Sequence, residues 1–118
     1  MIPVKITTSG KVRITVSKSL KPTFLSLLEL FLGNLEDSLK GKPLHWNNNS
    51  DRVYRFLIED LYFKYHTELS IINQNDSKVL LTRAQAHTFW ELCQNYSDVS
   101  LDNPQMGYLL SQLYQKLL

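Results

Sequence analysis

The first seventeen residues alternate between apolar and polar side chains. Their apolar positions are Ile2, Val4, Ile6, Val12, Ile14 and Val16. A period of two is typical of a β-strand with one buried face. The two alternating runs are separated by Thr8-Ser9-Gly10, and glycine adopts the positive φ that tight hairpin turns often require. We therefore predict a β-hairpin over residues 1–18, with one face on the core.

Beyond the hairpin, the apolar positions recur at spacings of three and four, as on the buried face of a helix. In the first such segment they are Phe24, Leu27, Leu28, Phe31, Leu32, Leu35 and Leu39. Pro22 suits the first turn of this helix, and Gly41 and Pro43 end it. A polar loop follows, and Ser50 or Asp51 can cap the next helix.

The second predicted helix runs from about Asp51 to about Leu69 and has two apolar faces. At 100° per residue, one broad arc of this helix contains Val53, Tyr54, Leu57, Ile58, Leu61, Tyr65 and Leu69. Phe56 and Phe63 lie together on the opposite side. A helix with two apolar faces is either enclosed in the core or offers one face to a partner. Phe56 and Phe63 are therefore candidate partner-binding residues, unless the hairpin or the C-terminal helix covers them.

Residues 69–81 allow two interpretations. The apolar residues from Leu69 onward either continue the helix, which we favour, or pair as a strand with residues 79–81. Thr82 and Gln85 have the spacing of a capping box that opens a third helix. Asp102 or Asn103, followed by Pro104, opens a fourth.

These elements predict an α+β fold, in which an N-terminal hairpin packs on a bundle of about four helices. The chain has 118 residues, of which 43% are hydrophobic, and this length suits one domain with one core. We assign residues 1–118 to a single domain, with 1–18 as the hairpin and 19–118 mainly helical. The composition predicts neither disorder nor a membrane-spanning segment.

Charge is distributed unevenly along the chain. Residues 1–22 contain five basic residues and no acid, whereas the whole chain has a formal net charge of +2. Alternation predicts that Lys5, Lys11 and Arg13 point away from the core together. Such a basic patch could contact phosphates or an acidic protein, or simply discourage aggregation at a strand edge. The hairpin lacks aromatic residues for base stacking, which weighs against nucleic acid.

The sequence contains no motif for catalysis or for a cofactor. There is no GxSxG, no glycine-rich phosphate loop and no HExxH. Of the histidines, only His87 has an acidic residue four positions away on the same helix face, Glu91. We expect these two side chains to form a surface pair. We expect Cys93 to be a buried, inert thiol and Trp46 to cap the core. We predict no catalytic, cofactor-binding or metal-binding residue.

Taken together, the sequence predicts a small, non-enzymatic protein–protein interaction module that needs no cofactor. It would act as an adaptor or accessory subunit, or associate with itself as a homo-oligomer. The alternative is a nucleic-acid-associated accessory protein that contacts phosphates through the basic hairpin. A single cysteine and an N-terminus without a charged leader favour a cytoplasmic location.

Overall fold

The computed structural model describes residues 3–41, 49–71, 75–95 and 103–118. The strands are β1 (Val4–Ile6), β2 (Val12–Val16) and β3 (Ser77–Leu81). The helices are α1 (Lys21–Leu39), α2 (Asn49–Ser70), α3 (Arg83–Asn95) and α4 (Pro104–Leu117). Within the described ranges, the predicted α+β fold with an N-terminal hairpin and helices is confirmed.

The predicted hairpin is formed by β1 and β2. The strands are antiparallel, and Lys5 lies opposite Arg13. In the turn, the backbone N–H of Thr7 donates to the carbonyl of Lys11 at 2.8 Å, and the N–H of Gly10 donates to the carbonyl of Thr7 at 3.0 Å. Gly10 has a φ of 83°, a conformation that costs glycine little because it has no Cβ.

A third strand corrects the prediction for residues 69–81. Helix α2 continues to Ser70, as we favoured, but Ser77–Leu81 is neither loop nor the second arm of a local hairpin. It pairs antiparallel with β2, with Val12 opposite Leu81 and Val16 opposite Ser77. The sheet order is therefore β1-β2-β3, and β2 is its central strand.

One face of the sheet packs on the helices and forms the core. Six strand residues have no solvent exposure on this face: Val4, Val12, Ile14, Val16, Val79 and Leu81. Beneath them, the ring of Phe89 stacks on Phe24 at 4.8 Å between centroids and meets Phe31 edge-on at 5.9 Å. Each fully buried side chain of this size contributes roughly 1.5–3 kcal/mol of burial free energy. These aromatic contacts join α3 to α1.

The predicted helix starts are confirmed at α3 and α4. The Oγ1 of Thr82 accepts from the N–H of Gln85 at 3.1 Å, while the side chain of Gln85 accepts from the N–H of Thr82 at 3.0 Å. This is the reciprocal capping box. At α4, the side chain of Asn103 accepts from the N–H of Met106 at 3.2 Å. In the described ranges, no helix combines the length and apolar character needed to cross a membrane.

We predict that Tyr65 stabilises the free edge of β3. Its hydroxyl accepts from the N–H of Leu80 at 2.9 Å and lies 3.4 Å from the carbonyl of the same residue. Because Tyr65→Phe leaves this part-buried N–H without its partner, it should lower the free energy of unfolding by about 1–2 kcal/mol. Urea denaturation measures the change.

The control for this experiment is Tyr114→Phe. Tyr114 is exposed and stacks on Trp90 through its ring, at 5.2 Å between centroids, and phenylalanine keeps that ring. The control should therefore change stability by less than about 0.5 kcal/mol. Equal stability of the two variants would show that the edge of β3 does not depend on Tyr65.

Candidate functional site

Helix α2 presents an exposed apolar surface, which we call the α2 outer face: Val53, Phe56, Asp60 and Phe63. Phe56 is 66% exposed, Phe63 is 63% exposed and Val53 is 53% exposed. The two phenylalanines are seven positions apart on the helix, a rise of about 10 Å. Asp60 is also exposed and lies between them. In the structure, neither the hairpin nor α4 covers Phe56 or Phe63.

The position of Val53 corrects the predicted buried arc. The sequence placed it with Ile58 and Leu61, which are buried, but Val53 is exposed. At 100° per residue, Val53 lies about 140° from Ile58 and only about 60° from Phe56. It therefore extends the α2 outer face by one turn toward the start of the helix.

Polar contacts fix one flank of the α2 outer face. Arg55 forms ion pairs with Glu59 on its own helix, at 3.6 Å, and with Glu36 on α1, at 4.0 Å. One turn further on, Tyr62 stacks on His66 at 5.1 Å and meets the ring of Phe63 at 5.9 Å. These neighbours limit the orientations that the Phe63 ring can take.

A second candidate surface lies on the outer side of the sheet, and we call it the basic sheet face: Lys5, Lys11, Arg13 and Lys78. β2 and β3 alternate between buried and accessible residues, and the four basic side chains occupy accessible positions. β1 departs from this pattern, because Ile6, which the sequence placed on the buried face, is exposed like Lys5. Lys5 lies directly opposite Arg13, as the hairpin register requires. The three basic residues predicted from sequence therefore lie on one surface.

Sequence reasoning did not include Lys78 in this surface. Lys78 is on β3, opposite Thr15 of β2, and its position depends on a pairing that was not predicted. Three strands thus contribute cations to one face, and none of the three contains an acidic residue. A local signal was present in the alternation of Ser77, Val79 and Leu81, but the neighbouring Leu80 obscured it.

One cavity lies between the sheet and the start of α4. It has a volume of about 350 Å³ and an apolar surface. Its lining comprises Pro3, Thr15, Ser17, Leu20, Pro104, Gln105, Tyr108 and Leu109. This lining offers no carboxylate, histidine or cysteine for acid–base or nucleophilic chemistry.

The other candidate chemical groups are separated from one another. Cys93 is buried, and desolvation raises the pKa of its thiol, so the inert thiol form is favoured. The Nδ1 of His66 lies 3.2 Å from the carbonyl of Tyr62. Within the described ranges, no group of three metal-ligating side chains comes together. His45 and Trp46 lie outside the described residues.

Glu91 has a different partner from the one that the sequence suggested. It accepts a hydrogen bond from the hydroxyl of Tyr54 at 2.5 Å, which joins α3 to α2. This hydrogen bond raises the pKa of Tyr54, and burial and the charges of Glu91 and Asp51 add to the effect. Tyr54 therefore stays protonated at neutral pH and acts as a donor. We assign this pair a structural role.

Comparison of the chain with protein-family profiles, curated proteins and solved structures finds no match. The two surfaces and their chemistry are therefore the basis for a functional proposal.

We predict that the contribution of Tyr54 to stability depends on pH. The pKa of Tyr54 is raised above its ordinary value of 10.0 in the folded protein, so its hydrogen bond contributes fully below pH 10 and is lost as the pH rises through the folded-state pKa. At pH 8, Tyr54→Phe should lower the free energy of unfolding by about 0.5–1 kcal/mol, since Glu91 is exposed and water can solvate its carboxylate when the hydroxyl is removed. Urea denaturation at pH 8, 9.5 and 10.5 tests this. A difference from wild type that stays constant across this range would contradict the assignment.

Proposed function

We propose that the protein is a small, non-enzymatic interaction module that binds another protein through the α2 outer face. The observation that carries this proposal is the exposure of Phe56 and Phe63 on one face of a long helix whose opposite face is in the core. Aromatic residues are enriched among those that dominate binding energy at protein interfaces. A partner that covered both rings would gain several kcal/mol from burial.

The position of Asp60 favours a different protein over a second copy of the chain. In a symmetric dimer, the same patch faces itself across a two-fold axis. An axis midway between Phe56 and Phe63 would pass beside Asp60 and bring two carboxylates together. A partner helix with a basic side chain between two apolar residues would instead satisfy Asp60. The module then acts as an adaptor or accessory subunit, and self-association is the competing arrangement.

The first test removes the two rings. Phe56→Ser with Phe63→Ser should weaken binding to the partner by at least about 100-fold, since each lost anchor costs on the order of 2 kcal/mol. Far-ultraviolet circular dichroism should be unchanged, because both side chains are exposed. Affinity capture from cells that express the protein, followed by quantitative mass spectrometry, compares the wild type with this variant.

A matched control removes two other exposed apolar side chains. Leu30 on α1 is 45% exposed and Tyr108 on α4 is 53% exposed, and neither is on α2. The variant Leu30→Ser with Tyr108→Ser should retain the partners that the phenylalanine variant loses. If both variants retain the same proteins, or lose the same proteins, the α2 outer face is not the binding surface.

The second test concerns Asp60. Asp60→Leu makes the α2 outer face continuously apolar and removes the paired carboxylates that oppose a symmetric dimer. We therefore expect the variant to dimerise at protein concentrations where the wild type is monomeric, as measured by light scattering during size-exclusion chromatography. A wild-type dimer that the Phe56→Ser and Phe63→Ser changes dissociate would instead identify a second copy as the occupant of this face.

A further inference from the structure

We propose that the basic sheet face binds the phosphate backbone of a nucleic acid duplex. Lys5 and Arg13 are direct cross-strand neighbours. Lys11 precedes Arg13 by two residues, and Lys78 lies opposite Thr15, two residues after Arg13. Neighbouring positions on one face of a sheet are about 5–8 Å apart. The four cations therefore form one continuous cluster across three strands.

This cluster is accessible, and the strand residues around Lys5, Lys11 and Arg13 include no acid. Lys5, Lys11 and Lys78 are exposed, and Arg13 is partly exposed. Among the described residues, none of the four forms an ion pair. Asp76 lies at the far end of the sheet from the hairpin turn, where its carboxylate accepts from the backbone N–H of Lys18 at 3.3 Å. The charge at Lys5, Lys11 and Arg13 is thus available to a ligand.

Phosphates fit this surface better than a protein does. The outer face has one large apolar side chain on the strands, Leu80, which is partly buried. A protein interface of useful affinity needs apolar or aromatic anchors in its centre, and this face provides little such surface. Two copies of the face would repel each other. An array of cations with few apolar neighbours is the surface that phosphate contacts require.

The residue types also favour a duplex over a single strand. Proteins that bind single strands stack bases on aromatic side chains, and none of the strand residues is aromatic. A duplex carries one negative charge per about 1.7 Å of its axis, and its phosphates are available without base contacts. We therefore expect binding that is independent of base sequence. It is also independent of the α2 outer face, which lies on a different element.

The experiment measures fluorescence anisotropy of a labelled 20-base-pair duplex DNA of random sequence with the full chain. Binding should weaken by roughly 100-fold between 50 and 200 mM salt, because each of about four neutralised phosphates contributes about −0.9 to the slope of log K against log salt concentration. At 50 mM salt, the triple variant Lys5→Glu, Arg13→Glu and Lys78→Glu should bind at least about 50-fold more weakly than wild type.

The matched control is Lys40→Glu, Lys64→Glu and Lys116→Glu, which changes the net charge by the same amount at exposed positions outside the sheet. It should retain most of the affinity, as should Phe56→Ser with Phe63→Ser. Equal losses in the two charge variants would overturn the proposal, since the effect would then come from net charge alone. Absence of duplex binding by the wild type at 50 mM salt would overturn it as well.

Two further measurements on the wild type do not depend on how any variant folds. In two-dimensional NMR, duplex DNA should shift amide signals of β1, β2 and β3 and leave those near Phe56 and Phe63 unchanged; shifts confined to the helices would contradict the site. In competition, poly-glutamate at equal charge should displace the duplex poorly. Displacement as efficient as that by unlabelled duplex would assign the face to an acidic protein, and tighter binding of single strands would overturn the preference for a duplex.

Discussion

The pairing of β2 with β3 is the constraint on which the rest of the structure depends. It joins residues 12–16 to residues 77–81, so the chain between them must leave the sheet and return to it. Helices α1 and α2 lie in this interval and pack against each other, and α2 also contacts β3. The inner face is thereby buried, and the outer face is left with its lysines and arginine. The same pairing that builds the core thus creates the basic sheet face.

Local patterns in the sequence were sufficient to predict the elements that depend only on neighbouring residues. The hairpin follows from alternation and a glycine turn, and the capping box at Thr82 follows from spacing alone. A strand at residues 79–81 was one of the two interpretations, but its pairing with β2 was not predictable in this way, because β2 lies more than sixty residues earlier in the chain. Leu80 is only partly buried, and its apolar character next to Leu81 hid the period of two. Periodicity identifies which residues are apolar, but it does not identify which distant segment will pair with them.

The residues of the two candidate surfaces also fall into two groups: those that local geometry could place and those that only tertiary contacts could place. Phe56 and Phe63 could be placed on the side of α2 opposite the buried arc because helix geometry alone separates them from it, but their exposure is seen only in the structure. Val53 was misplaced because it lies at the margin of that arc, where only the actual neighbours decide exposure. Lys78 was missed because its membership of the basic sheet face depends on β3. In each case, the error concerns a position that is fixed by tertiary contacts and not by its own segment.

Exposed phenylalanines need an explanation that folding does not supply. Phe56 and Phe63 are mostly accessible to solvent and are not part of the core, so polar residues at these positions would leave the packing of α2 intact. Exposed apolar surface of this kind lowers solubility and promotes unwanted association. Asp60 reduces that risk between copies of the chain, since a symmetric contact would bring two carboxylates together. Under the proposed function, an apolar face with a charge at its centre disfavours a second copy of the chain and favours a partner surface with a complementary cation.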